Sequence, residues 1–298
     1  MYNKSNPKIR SIYNMKTAAI LYVRNDDYKE NERVIVTISS MLNTFDEVIL
    51  LDWNTPEDRN PLLWGIDDKL PKTGRLKHMV IPPKVATQLT NFDPKAQACT
   101  HVLSNNIMLR RTDADWVVST TMDIIAPKKE ILNNFLSKAD KNTFYTLSRR
   151  DFEISELEEF GFDKWKEYRD ILDKKSTPRH FPAKVTPNDN YSLINCCGDF
   201  QLAHKDVWNK IKGFEEKMVY ACFQDTNIQK KAILNNCGLE AIYDIPVYHM
   251  SHKGMGNDSS SPSKQYYNDA LKWVEYYQIS ENSDDWGFND IEIEYEIF

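Results

Sequence analysis

The apolar residues of this chain gather into short unbroken runs, separated by stretches in which they recur every three or four positions. Thr17-Ala-Ala-Ile-Leu-Tyr-Val23 is continuous, as a strand covered on both faces requires. Glu32 to Asn43 then spaces Val34, Ile35, Ile38, Met41 and Leu42 as one face of a helix. Glu47-Val-Ile-Leu-Leu51 is a second buried strand, closed by the polar Asp52-Trp-Asn-Thr-Pro56. Strand, helix, strand at this spacing is a βαβ unit and predicts a parallel sheet. The same reading predicts strands at His78–Ile81, Trp116–Ser119, Thr143–Leu147, Tyr191–Cys197, Ala241–Ile245 and Val247–Tyr248. It predicts helices over Pro94–Arg111, Pro127–Ala139, Lys205–Ile211, Gln224–Asn235 and Gln265–Tyr277. The fold class is α/β, with a mostly parallel central sheet flanked by helices.

Between these elements the composition shifts. Residues 1–16 read as a polar lead-in, and residues 17–278 as one domain. Residues 56–75 are a Pro- and Asp-rich loop, and Gly254–Ser263 is a Gly/Ser/Asp loop. The stretch 151–190 is rich in charge and proline, with a helical pattern over Ile154–Leu172, and reads as a lid or acceptor insertion. Residues 279–298 read as an acidic tail.

At 298 residues with 41% hydrophobic and 28% charged, the chain has the composition of an ordinary soluble protein with a substantial core. Its formal charge of −6 argues against non-specific nucleic-acid binding. No apolar run is long enough to span a membrane, and Met1–Lys16 lacks the apolar core of a signal peptide. Cys99, Cys196, Cys197, Cys222 and Cys237 are odd in number, and no pair has CxxC spacing. A zinc knuckle and a disulfide framework are therefore not indicated, and the expectation is a cytoplasmic protein.

Three polar clusters carry candidate chemistry. In an open α/β sheet, ligands bind beyond the carboxyl ends of the strands. Thr121-Met-Asp123 falls at such an end, after Asp115-Trp-Val-Val-Ser-Thr. Phe223-Gln-Asp225 opens a predicted helix, and His249-Met-Ser-His252 follows a predicted strand. Together they suggest a metal–diphosphate site beside a general base. Each has a plainer reading: Asp123 as a cap on the helix near Pro127, Asp225 as a helix N-terminal acid, and the histidines as ordinary loop residues. No GxGxxG follows a strand, which argues against a dehydrogenase or methyltransferase.

The stretch Asn106 to Asp123 resembles the helix–strand–DxD segment of GT-A glycosyltransferases. Gly198-Asp-Phe-Gln-Leu202, Trp208, Gly213-Phe-Glu-Glu216 and Gln224-Asp-Thr-Asn227 are similar to the acceptor and catalytic block of family-2 and β-1,4-galactosyltransferase-like enzymes. The likeness spans residues 17–252 or so and is most specific in Gly198–Asn227. It implies a metal-dependent inverting transfer of a hexose or N-acetylhexosamine from a nucleotide-sugar, UDP-linked, to a hydroxyl of a glycan, glycoside or protein.

The resemblance also implies roles. Asp123 is a ligand of Mn²⁺ or Mg²⁺, together with His252 or His249. Asp225 is the catalytic base. Asp199, Gly198 and Gln224 face the acceptor. Arg24, Asn25 and Asp52 flank the nucleotide, and Asn106 and Thr121 contact the nucleotide-sugar. Trp208 and Phe214 read as core. Two departures stand out: Thr121 replaces an acid in DxD, and Gln224 replaces the first acid of the EDTD pattern. They leave open a non-catalytic carbohydrate-binding protein on a decayed transferase fold. A sugar-phosphate nucleotidyltransferase is disfavoured, because Val23-Arg-Asn-Asp-Asp27 lacks the Gly-rich loop of that class.

Overall fold

The computed structural model describes residues 15–25, 31–90, 101–175, 183–185, 198–218, 224–251 and 281–298. The expected strand at Tyr191–Cys197, the Gly254–Ser263 loop, the helix at Gln265–Tyr277 and the first turns of the helix from Pro94 lie outside them. The described strands, in chain order, are β1 (Thr17–Val23), β2 (Glu47–Trp53), β3 (Leu76–Ile81), β4 (Trp116–Thr120), β5 (Ile124–Ile125), β6 (Thr143–Glu153), β7 (Ala183–Val185), β8 (Phe200–His204), β9 (Gly238–Ser251) and β10 (Tyr295–Ile297). They form one sheet in the order β10-β3-β2-β1-β4-β8-β6-β9-β5, with β7 on β9.

At its centre, β3, β2, β1 and β4 are parallel, as the βαβ pattern requires. Beyond β4 the sheet turns mixed. β8 runs antiparallel to both β4 and β6, and β6 and β9 are again parallel. β1, β2 and β4 are buried almost throughout, which is why their sequence shows runs and not alternation.

Among the described residues, eight α-helices cover the faces: α1 (Asn31–Thr44), α2 (Pro83–Thr90), α3 (His101–Arg111), α4 (Lys129–Leu136), α5 (Ile154–Phe160), α6 (Trp165–Lys175), α7 (Lys205–Lys210) and α8 (Gln224–Leu234). One core packs α3, α7 and α8 against Ala18, Ile20, Val117 and Ala203. The other packs α1 and α4 against Ala19, Leu21, Val118 and Leu202. Consecutive residues of one strand thus feed opposite cores. α2 has no counterpart among the predicted helices; it is a short helix that packs Val85, Ala86 and Leu89 on the core.

Two charged segments are docked on the sheet. The helical part of 151–190 packs over residues 154–175. Leu157, Trp165, Tyr168 and Leu172 pack with Val36, Ile125, Phe152, Tyr248 and Met250 in a third apolar cluster. Arg169 donates to the carbonyl of Ala126 at 3.2 Å, and Lys128 pairs with Asp170 and Asp173. The acidic end is likewise not a free tail over 281–298. Trp286 is buried, and Arg111 donates to the carbonyls of Gly287, Phe288 and Ile291. β10 then closes the sheet edge against β3. Among the described residues, no helix is long and apolar enough to cross a membrane.

Because Trp286 fills the core beneath α3, Trp286→Ala is expected to destabilise the protein by about 3–5 kcal/mol in chemical denaturation. A change within about 0.5 kcal/mol, the range of ordinary surface sites, would show the end segment to be undocked in solution.

Candidate functional site

The β4 strand ends at Thr120, and the next turn presents Asp123. The Thr121 hydroxyl donates to Asp123 Oδ1 at 2.5 Å and so sets the carboxylate's orientation. Its other oxygen faces His249 Nε2 at 3.4 Å. This meeting is fixed by strand register, since Ile124 of β5 pairs with His249 of β9. The opposite ring nitrogen of His249, Nδ1, lies 2.9 Å from Asp151 Oδ1. A carboxylate behind an imidazole fixes which ring nitrogen is presented in front.

Asp151 continues the chain of contacts. Arg149 Nε lies 3.0 Å from Asp151 Oδ1, and Arg149 reaches Asp199 Oδ2 at 2.5 Å. Both Arg149 and Asp151 lie in the part of β6 that pairs with Val247–Ser251 of β9, beyond a register shift after Leu147. The shift leaves Tyr243–Pro246 unmatched on β9, a bulge beside the polar cluster. Alternation then separates the functions of the strand. Arg149 and Asp151 share one face with His249, while Phe152, Tyr248 and Met250 lie in the third apolar cluster.

Asp199 leads to the proposed base. Its carbonyl accepts from the Thr120 hydroxyl at 2.6 Å, tying the β8 turn to the end of β4. The preceding Gly198 abuts Asp225: a Cβ on Gly198 would stand 3.1 Å from Asp225 Cβ and 3.9 Å from Gln201 Nε2. Glycine is what permits that approach. Asp225 occupies the first turn of α8, half-buried, with the Thr226 N–H donating to it at 2.9 Å. Burial, with the neighbouring charge of Asp199, holds its carboxyl above the ordinary range in spite of that bond. Asp123, His249, Asp151, Arg149, Asp199, Gly198 and Asp225 thus form one continuous line of contacts across the sheet.

Other candidates fall elsewhere. Gln224 is buried; its Nε2 donates to the Met218 carbonyl at 2.9 Å and its Oε1 lies 2.7 Å from His101 Nδ1. An acceptor sugar therefore does not find its amide free. Asn106 is fully buried, with its amide bonded to both the N–H and the carbonyl of Phe214. It holds the turn at Gly213, where a Cβ would stand 2.2 Å from its oxygen and φ is +62°. It clamps the turn at Phe214.

Asp52 is fully buried too, accepting from the Thr55 hydroxyl and, at 2.7 Å, from the Leu62 N–H. It ties the loop after β2 to the end of that strand. Arg24 donates to the Asn54 carbonyl at 3.0 Å, and Asn25 donates to the Asn60 carbonyl at 3.0 Å. Both remain part-exposed at the carboxyl end of β1. Trp208 and Phe214 are core, as expected. His252 lies outside the described residues.

The sequence reading did not single out Arg149, Asp151 or His101. Extending the Thr143–Leu147 strand by its period of two would have placed Arg149 and Asp151 on one face. His101 carried no comparable signal.

The residues fit a divalent cation in part. Asp123 and His249 offer an oxygen and an imidazole nitrogen facing one another, a donor set suited to Mn²⁺. Of the carboxylates in this line, Asp151 and Asp199 are paired with the guanidinium of Arg149. Among the described residues, no three His, Cys, Asp or Glu side chains close around one point. A cation there would complete its shell with other ligands, as nucleotide-bound Mg²⁺ does with phosphate and water.

No family model matches the chain, and no curated protein matches it in sequence. Solved structures do match. S. aureus TarS is similar with a TM-score of 0.51 at 16% identity, over 93% of this chain and 42% of that one. TarS 1–349 in complex with UDP-GlcNAc is similar with a TM-score of 0.52 at 15% identity, over 93% of this chain and 70% of that one. GalNAc-T7 with UDP, GalNAc and Mn²⁺ gives 0.54 at 9% identity, over 88% of this chain and 50% of that one. This chain therefore spans less than half the length of TarS. At such identities the likeness establishes the fold, a GT-A arrangement of sheet and helices.

Two outcomes are expected from this geometry. Asn106→Ala should destabilise the protein by about 1–3 kcal/mol, because it orphans buried groups of the Phe214 turn. Chemical denaturation would show the loss; a change within about 0.5 kcal/mol, the range of ordinary surface sites, would contradict the clamp. Asp225→Asn tests the raised carboxyl pKa. A group whose folded pKa exceeds its unfolded value costs stability when ionised. That cost is absent below the unfolded pKa, grows as pH rises and is complete above the folded pKa. The melting temperature of Asp225→Asn should equal or exceed that of the parent at neutral pH, and the advantage should vanish in acid; a drop at pH 7 would contradict the burial argument.

Proposed function

We propose that the protein is a metal-dependent inverting glycosyltransferase. It moves a hexose or N-acetylhexosamine from a UDP-linked donor to the hydroxyl of a glycan, glycoside or protein. The observation that carries this reading is the unbroken line of contacts from Asp123 to Asp225. It joins the carboxylate of Asp123, just after the carboxyl end of β4, to that of Asp225 in the first turn of α8, and so supports a cation site beside a general base. The reading gains support from the ligands of the similar structures, UDP-GlcNAc in TarS 1–349 and UDP with Mn²⁺ in GalNAc-T7.

In this reading Asp123 holds Mn²⁺ or Mg²⁺, aided by His249 or His252. The cation, when bound, offsets the negative charge that grows on the departing diphosphate. Thr121 and His249 keep the Asp123 carboxylate in one orientation. Arg24 and Asn25, at the end of β1, flank the nucleotide. Asp199 receives the acceptor, while Arg149 holds it in place. Asp225 takes the proton of the acceptor hydroxyl as that oxygen bonds to the anomeric carbon. The bond from that carbon to the diphosphate oxygen breaks on the opposite side, so configuration inverts. The raised pKa of Asp225 suits a base working near neutrality, since a stronger base is a better proton acceptor.

The alternative of a non-catalytic carbohydrate-binding protein rests on Gln224 and Thr121. Both have positions that account for them without loss of function: Thr121 orients Asp123, and Gln224 fixes His101.

Asp225→Asn should lower turnover of UDP-GlcNAc, by hydrolysis or transfer, by about 10²–10⁴, the range of general base catalysis. UDP affinity should persist, since the nucleotide contacts lie elsewhere. Near-normal turnover would rule Asp225 out as the base. Asp123→Ala should abolish the rise in melting temperature that UDP gives in the presence of Mn²⁺. Unchanged Mn²⁺-dependent stabilisation would place the cation elsewhere.

A further inference from the structure

His78 is a titratable side chain placed inside an apolar core. It lies in the middle of β3 and is 1% exposed. Among the described residues, neither of its ring nitrogens has a hydrogen-bond partner. A neutral imidazole already leaves one N–H unsatisfied there, and a protonated ring would leave two together with a charge. Burial pushes its pKa down to about 4.

The cover over this ring is the end of the chain. His78 pairs with Glu296 of β10 on one side and with Leu50 of β2 on the other. The Phe298 ring meets the imidazole at 66°, with centroids 6.0 Å apart. Phe298 and Leu76 exchange backbone hydrogen bonds at 2.9 and 3.4 Å. This last strand is lightly held. β10 is three residues long, and Tyr295 and Ile297 are 49% and 60% exposed. The carbonyls gathered by Arg111 end at Ile291, so residues 292–298 form a short strap beyond that clamp.

Among the described residues, the charges around the ring are engaged elsewhere. The Glu296 carboxylate accepts from Trp64 Nε1 at 3.2 Å. Lys72 lies over the Phe298 ring and is paired with Asp67 at 3.0 Å. Lys77, whose side chain alternates to the opposite face, is paired with Glu47 at 2.6 Å. On β2 and β3, Leu50 and Leu76 belong to the second core, on which Phe298 packs. Burial is the whole cause of the shift at His78, with no charge acting against it.

We propose that His78 is an acid-sensitive latch, and that protonation of its ring releases the strap 292–298 from β3. An uncovered ring takes up a proton near the ordinary histidine value of about 6.5, whereas the covered ring does so only near 4. Docking is therefore at full strength above the uncovered value, weakens as pH falls through it, and stops weakening below the covered value. A segment with so few buried contacts sits at the low end of local stability, where such a change decides whether it is docked. Its release uncovers the edge of β3 and separates Trp64 from Glu296. The inference concerns this sheet edge and does not rest on the transferase reading.

Hydrogen exchange on the full chain reads the latch directly. Corrected for intrinsic exchange, protection of Leu76 and of the strap should fall by about 30-fold between pH 7.5 and pH 5. Most carboxylates are still ionised at pH 5, so their titration does not produce the fall. His78→Leu removes the titrating ring and suits the apolar surroundings, and its strap should keep its protection over the same range. In ¹⁵N-histidine spectra of the parent, the His78 ring should titrate below the ordinary histidine range. The inference is overturned if protection of the parent's strap is the same at both pH values, or if His78→Leu loses it equally. It is also overturned if the amides of β1 open to the same degree, or if the His78 ring titrates at its ordinary value. The readings on the parent decide the matter even where the variant does not fold.

Discussion

The arrangement of the site depends on the guanidinium of Arg149. It lies between Asp151 of β6 and Asp199 in the turn before β8. Asp151 in turn steadies His249, and His249 faces Asp123. Asp199 continues through Gly198 to Asp225. A charge this little exposed is tolerated because it is paired twice; without it, the carboxylates on either side would repel one another in poorly solvated surroundings. Arg149 does not need to touch a ligand to matter. It sets the spacing between the end of the cleft assigned to the cation and the end assigned to the base.

That guanidinium is placed by backbone geometry. The bulge of Tyr243–Pro246 lets β9 resume pairing with β6 at Val247, and from there register alone brings His249 beside both Asp151 and Ile124. The opposite face of the same stretch is anchored by Phe152, Tyr248 and Met250 against α5 and α6. The 154–175 region therefore buttresses this strand pair. Its charged residues are turned outward or tied down, as Lys128 with Asp170 and Asp173 shows.

What was legible in the sequence followed from periodicity and strand ends. β1, β2 and β4 are unbroken apolar runs, and α1 shows a clear stripe, so the central parallel unit could be read directly. Asp123 and Asp225 were legible because each follows or opens such an element. Side chains recruited across the fold were not. Asn106 and Asp52 look like ligand contacts in a motif, yet burial commits them to the Phe214 turn and to the loop after β2. His101 and Arg149 take partners more than 45 positions away in the chain, at Gln224 and Asp199. The docked end segment was hidden for a similar reason: its charge suggested solvent, while the three carbonyls gathered by Arg111 are backbone groups without a sequence signature.

The most direct test of the account is a crystal structure of the protein with UDP and Mn²⁺. The account expects the cation on the Asp123 carboxylate, with the diphosphate beside it and the nucleoside at the carboxyl end of β1 near Arg24 and Asn25. The Asp225 carboxylate should stand open across the space where a donor sugar would extend. A cation or a UDP molecule bound away from Asp123, with that carboxylate left in contact only with Thr121 and His249, would contradict it.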